Sequence, residues 1–193
     1  MGRKVTLNIY MTFDGYGEFP KYPGSDFVPK DPDAQFKEMW VDRYNEVDTV
    51  VMGRRSFEGH LATYSEKARK PGDPWYIFEY SRWLDRVQKV CLSHTLKETD
   101  WQNSRIMSGD LTEIINSLKA EPGKGIILDG GPSLTRDAIQ RGLADDYRMV
   151  ISPVILGKGH YYWGTMANQQ TMKLLSVTSL PYGELVLHYE AVR

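Results

Sequence analysis

The stretch from Ile126 to Leu143, "IILDGGPSLTRDAIQRGL", constrains this chain more than any other. A short apolar run ends in an acid and two glycines, and an amphipathic segment begins at the next proline. This reads as a strand handed directly to a helix, and such a helix must bury its apolar stripe against a sheet. The succession recurs where "TVVMG" runs into "RRSFEGHLA". Strands alternating with helices predict an α/β domain on a mostly parallel sheet, covered on both faces.

The other elements fit that frame. Val5, Leu7, Ile9, Met11 and Phe13 alternate with polar residues, the period of a strand. A Gly- and Pro-rich loop of about twenty residues follows, "DGYGEFPKYPGSDFVPKDPD", and loops of that length are usually functional or mobile. Phe36, Met39, Trp40, Tyr44 and Val47 recur at helical spacing, with Asp31-Pro32 placed to start a helix. "VQKVCLS" and "RIMSG" read as strands, and Asp110 with Glu113 forms a capping box for a helix through Lys119. After a helix stopped at Gly142, "DYRMVISPVILG", "MKLLSVTSL" and "ELVLHYEAV" read as strands, the last two joined by a Pro-Tyr-Gly turn. No repeat or linker interrupts the chain, so residues 1–193 are expected to form one domain.

Composition narrows the function classes. Net charge is −1 over 24 basic and 25 acidic residues, and no basic run suggests nucleic acid or an anionic membrane as partner. The single cysteine, Cys91, excludes an internal disulfide framework and a Cys-based zinc site, and no metal is expected. The alternating N-terminus lacks the apolar core of a signal peptide, and no apolar run is long enough to span a membrane. A cytoplasmic protein is the expectation.

Ligands of open α/β sheets collect at the carboxyl ends of the strands. Three junctions belong there: "MGRRSF", "LSHTL" and "DGGPSL". At the last, residues without Cβ atoms admit a ligand to the backbone, Pro132 suits the first helical position, and the N–H groups of Gly131, Ser133 and Leu134 face outward at the positive end of the helix dipole. The plainer reading is a glycine turn closed by a proline. Arg54 and Arg55 offer guanidinium forks and Ser56 a hydroxyl to a phosphate, or are simply solvated on a surface helix. His94 follows the same logic, although a histidine so placed is more often a surface residue than a ligand contact. Together the three favour a dinucleotide across the sheet edge. The G-x-G-x-x-G fingerprint and its ribose-binding acid are missing, and arginines without that acid point to a 2′-phosphate, hence NADP over NAD.

These residues carry a resemblance. "VVMGRRSFEG" resembles the strand-turn-helix of dihydrofolate reductases. "LDGGPSLTRDAIQRGLADDYRMVISPVILGKG" is closer still to the reductase half of the bifunctional riboflavin-biosynthesis deaminase-reductase and its free-standing relatives, and "YMTFDG" matches that family's first strand. The resemblance implies a dihydrofolate-reductase-like three-layer α/β/α fold with a mostly parallel mixed sheet and an antiparallel C-terminal hairpin, NADPH as hydride donor, and a homodimer. It implies that Gly53, Arg54, Arg55 and Ser56 hold the adenosine 2′-phosphate and pyrophosphate, and that Ser93, His94 and Thr95 line the adenosine side. Gly130, Gly131, Pro132, Ser133 and Leu134 would cradle the pyrophosphate, and Met11 and Thr12 would border the nicotinamide.

Reduction of a small heterocyclic or sugar-derived substrate, pteridine- or pyrimidine-like, also needs a proton, from a carboxyl or from water that it orders. Asp14, Asp129 and Glu38 are the acids near the expected cleft; each has a plainer reading, as a turn-forming Asp, a turn cap and a solvated helix residue. Tyr16, Phe19, Tyr22 and Phe27 crowd the region before the cleft, where stacking on a flat substrate is one reading; Tyr16, Phe19 and Tyr22 suit a substrate lid, while Phe36 and Trp40 suit the core. Lys21, Lys30 and Lys37 could clamp a substrate phosphate or be solvated. A non-catalytic module that binds NADP or another nucleotide is the alternative.

Overall fold

The computed structural model describes residues 2–17, 43–73, 75–167, 169–180 and 183–192. The expected acid Glu38, the helix start at Asp31-Pro32, the helix residues Phe36, Met39 and Trp40, and the loop residues Phe19, Tyr22 and Phe27 lie outside them. So do Lys21, Lys30, Lys37 and the Pro181-Tyr182 part of the hairpin turn.

One eight-stranded sheet organises the described residues. Its strands are β1 (Val5–Thr12), β2 (Val47–Gly53), β3 (Gln88–Leu92), β4 (Ser104–Met107), β5 (Gly125–Leu128), β6 (Asp146–Ser152), β7 (Met172–Ser179) and β8 (Leu185–Ala191), in the order β4-β3-β2-β5-β1-β6-β8-β7. All contacts from β4 to β6 are parallel, and β8 pairs antiparallel with both β6 and β7. Among the described residues four α-helices cross over: α1 (Arg54–Tyr64), α2 (Trp75–Arg86), α3 (Leu111–Ala120) and α4 (Pro132–Gln140), with short helical turns at Arg43–Asn45 and Glu66–Ala68. The fold is α/β and three-layered, with the antiparallel finish expected from the sequence.

The period of two divides the sheet's side chains between two cores. Val5, Leu7, Ile9 and Met11 of β1, with Val51, Val90, Ile126 and Leu128, pack beneath Ile114, Ile115 and Leu118 of α3 and Ala138 and Ile139 of α4. On the other face Val50, Met52, Cys91 and Ile127 meet Phe57 of α1, Trp83 and Leu84 of α2, and Tyr44. Asp110 caps α3 as expected, its side chain accepting from the Thr112 and Glu113 amides. The positive φ of Gly142, 63°, ends the turn after α4.

Three elements differ from the sequence reading. Helix α2 was not expected, although Tyr80, Trp83, Leu84 and Val87 follow the i, i+3, i+4, i+7 pattern. Strand β6 ends at Ser152 rather than running to Gly157, because Pro153 has no N–H to continue a ladder. Val47, read with the helical spacing from Phe36, instead opens β2, while β7, a strand as expected, lies at the sheet edge with Leu174, Leu175 and Val177 exposed.

Lys89 of β3 is fully buried. Its ammonium donates to the Leu84 carbonyl at 2.5 Å and the Val87 carbonyl at 3.2 Å, and stands 4.9 Å from the centre of the Trp101 ring. It thus closes the carboxyl end of α2, where a cation is favoured by the helix dipole. Burial pulls its pKa down to about 8 from 10.5. Between those values the unfolded chain binds more protons than the folded one, so this residue's contribution to stability rises with pH across the window. Chemical denaturation of the wild type and Lys89→Met over that range should show their stability difference moving in the wild type's favour as pH rises; a difference independent of pH would contradict a buried, titrating Lys89.

Candidate active site

Strands β3, β2, β5 and β1 are consecutive in the sheet and parallel, so their carboxyl ends form one edge. Gly53 stands level with Leu92, Val51 with Leu128, and the Asp129 amide donates to the Val51 carbonyl at 2.9 Å. The three glycine- and hydroxyl-bearing junctions of the sequence therefore sit side by side, separated by roughly 5 Å per strand.

Helices α1 and α4 begin at this edge, on β2 and β5. Their N-caps are Gly53 (φ −68°, ψ 158°) and Gly131 (φ −67°, ψ 176°), and neither cap supplies a side-chain hydrogen bond. These are extended angles open to any residue, so the backbone does not call for glycine at either place. A Cβ added at Gly53 or Gly131 would have nothing within 4 Å. Packing does not call for glycine there either. Gly130 differs: its Cβ would come 2.6 Å from Leu134 Cδ2, so that position serves the contact between β5 and α4. Two uncapped helix starts with open space before them form a cradle suited to anionic oxygen.

The remaining expected contacts are arranged around it. Arg54 is exposed and reaches Glu58, one turn along, at 3.1 and 3.3 Å. Arg55 is exposed, and Ser56 is half-buried. Ser93 is buried, with its hydroxyl accepting from the Thr95 and Leu96 amides at 3.2 and 2.9 Å; this bend leaves His94 and Thr95 exposed. Pro132 occupies the first turn of α4, Ser133 is exposed, and Leu134 packs on the core. Met11 faces the α3–α4 core, and the Thr12 hydroxyl donates to Asp14 at 2.7 Å, so both border the edge through their backbone.

Asp14 acts as a clasp. One carboxylate oxygen accepts from the Thr12 hydroxyl, and the Leu156 and Gly157 amides donate to the group at 3.0 and 2.7 Å, pinning the turn after β1 to the segment after β6. Partial burial would raise its pKa, but these donors outweigh that and hold it below the ordinary carboxylate value. Gly15, at φ 88°, completes the turn in the left-handed region. The turn packs on α4: a Cβ at Gly17 would come 2.9 Å from Pro132 Cγ.

Asp129 belongs to a polar group that the sequence reading did not single out. On the sheet face opposite α3 and α4, Asn8 of β1 stands level with Arg148 of β6, and both are buried. Asn8 donates through Nδ2 to Asp129 Oδ2 and accepts through Oδ1 from Arg148 Nη1, each at 3.3 Å. Tyr10, two residues further along β1 and level with Val150 of β6, lies on the same face. An aromatic wall follows. Tyr44 packs on Trp83 with ring centres 4.2 Å apart, Tyr80 lies edge-on to Tyr64 at 4.7 Å, and His60 Nε2 is 3.1 Å from the Tyr80 hydroxyl. Burial pushes the phenols of Tyr10, Tyr44, Tyr64 and Tyr80 upward, Tyr64 to about 12, so all four are neutral near pH 7. A polar residue at a buried strand position, Asn8 in "TLNIY" or Arg148 in "DYRMV", was the available signal.

Among the described residues no cluster of three His, Cys, Asp or Glu side chains could hold a metal ion, and no helix is long and apolar enough to cross a membrane.

The chain is similar over nearly its full length to known proteins. It is 31% identical over 189 residues to the uncharacterized protein YyaP of Bacillus subtilis (strain 168), covering 97% of this chain and 95% of that one. A riboflavin-biosynthesis-assigned protein from Shewanella sp. PV-4 superposes with a TM-score of 0.75 at 20% identity, with both chains fully covered. Dihydrofolate reductase from Enterococcus faecalis, complexed with NADP(H), superposes at 0.61 with 12% identity, covering 98% of this chain and 97% of that one. The model of the RibD C-terminal domain matches residues 3–186, and the chain belongs to that family.

Proposed function

We propose that this protein is an NADPH-dependent reductase that transfers a hydride to a planar, polar heterocycle of the pteridine or pyrimidine kind. The observation that carries the reading is the pair of glycines at the starts of α1 and α4, which neither backbone angle nor neighbouring atoms require. Glycine at both is accounted for by a ligand that approaches the backbone there. The order of the strands supports the assignment of its parts: Ser93, His94 and Thr95 beside the adenosine, Gly53 to Ser56 at the 2′-phosphate, Gly130 to Leu134 at the pyrophosphate, and the backbone of Met11 and Thr12 at the nicotinamide.

When bound, NADPH supplies the hydride, and the rest falls to the chain. Asp129, half-buried and held by Asn8, is the acid we assign to proton delivery, directly or through a water that it orders. Asp14, with its lone pairs committed to Thr12, Leu156 and Gly157, serves as the clasp that sets the turn at the nicotinamide. Arg148 and Asn8 orient polar edges of a flat substrate through charge-assisted bonds, and the neutral phenols of Tyr10 and Tyr44 add donors while excluding water.

Two results test this. Gly131→Ala should fold with its melting temperature within about 2 °C of wild type, since alanine tolerates that φ and meets no atom, yet bind NADPH at least about tenfold more weakly. Unchanged NADPH affinity in that variant would remove the main support. In titrations followed by tryptophan fluorescence, NADPH should bind in the micromolar range and NADH much more weakly, with Arg54→Ala and Arg55→Ala abolishing most of the difference. Equal binding of the two nucleotides would sink the 2′-phosphate assignment.

A further inference from the structure

A cavity lies at the other end of the strands. It has a volume of about 460 Å³ and opens at the amino edge of β1 to β4, between the starts of those strands and the turn after α3. The distance from the glycine cradle is a strand length, roughly 15–20 Å. No part of the proposed reduction uses it.

Three arginines line this cavity, and they are not equivalent. Arg3 is buried and fully engaged: it donates to the Lys124 and Leu118 carbonyls at 2.6 and 3.0 Å, to Thr49 Oγ1 at 2.6 Å, and to Asp48. Arg105 uses one nitrogen, Nη2, which meets both oxygens of Glu121 at 2.7 and 2.9 Å; among the described residues its Nε, buried, and its Nη1 have no hydrogen bond. Arg86, at the end of α2, is exposed at the rim and makes no hydrogen bond within the described residues. The Arg3–Asp48 and Arg105–Glu121 pairs cancel in charge, leaving the positive charge of Arg86 and the Nη1 group of Arg105 around the same space. Gln88 and Ser104 supply uncharged polar groups on the remaining wall.

We propose that this cavity binds a small hydroxylated phosphate ester of the size of a sugar phosphate. The guanidinium fork of Arg86 and the Nη1 group of Arg105 suit phosphate oxygens, which accept several charge-assisted hydrogen bonds at once. The volume exceeds what a bare phosphate fills and lies in the range of small-ligand sites. Side-chain amide and hydroxyl groups opposite the arginines match hydroxyls rather than a hydrocarbon. The site is separate from the cofactor edge and does not rest on the reductase reading.

Isothermal titration calorimetry of glucose 6-phosphate into the full chain, in phosphate-free buffer, tests it. One saturable site is expected, with a Kd of about 1 mM or tighter and at least about fivefold weaker binding of inorganic phosphate. Arg86→Ala, which breaks no hydrogen bond among the described residues, should weaken binding about tenfold or more, and Arg105→Gln should do the same. Arg54→Ala, at the opposite edge, should leave the affinity unchanged. Absence of binding, affinity unaffected by Arg86→Ala, or loss of binding in Arg54→Ala would overturn the proposal; equal affinity for inorganic phosphate would overturn its hydroxyl component.

Discussion

Parallel hydrogen bonding between β3, β2, β5 and β1 is the constraint on which the rest depends. Parallel strands require crossovers, and each crossover returns the chain to the same edge before the next strand begins. The carboxyl ends of four neighbouring strands therefore share one edge, and the residues that follow them line up along it at roughly 5 Å per strand. Residues as far apart in sequence as Thr12, Gly53, Ser93 and Gly131 become neighbours through this ladder alone. The same register places Asn8 beside Arg148 and brings Asp129 within hydrogen-bond reach.

The two faces divide the remaining tasks. Beneath α3 and α4 the sheet is apolar, and the buried side chains of Val5, Leu7, Ile9, Ile126 and Leu128 hold the ladder in register. On the opposite face the buried Asn8 and Arg148 interrupt the apolar pattern, a costly choice for a core unless each group is bonded. The Asn8 side chain satisfies both its amide ends between Asp129 and Arg148. Local rules are broken where a fold carries chemistry, and this polar group at the bottom of an aromatic wall is such a place.

Much of this was legible in the sequence, for identifiable reasons. The alternation of Val5 to Met11 announced β1, and Gly-Gly-Pro marked the passage from β5 to α4. Both signals are local: a pleat has period two, and a proline suits the first turn of a helix. Helix α2 escaped notice because aromatic side chains dominate "WYIFEYSRWLDR" and lower its helix propensity, although the spacing of Tyr80, Trp83, Leu84 and Val87 obeys the helical period. The Asn8–Asp129–Arg148 group could not be assembled beforehand. Its hydrogen bonds join residues 121 and 140 positions apart, and such pairs meet only through strand order and register. The distinct characters of Gly130 and Gly131 were equally hidden, because the Leu134 side chain that separates them is set by the packing of α4.

The central claim is that the carboxyl edge of β3-β2-β5-β1 seats a dinucleotide in an extended pose. A crystal structure of the protein with NADP⁺ tests this most directly. The predicted result is electron density running along that edge, with the 2′-phosphate at Arg54 and Arg55, the pyrophosphate over the Gly131 amide at the start of α4, and the nicotinamide beside the turn that Asp14 clasps. Density for the nucleotide elsewhere on the molecule, or a saturated crystal with that edge holding only water, would contradict it.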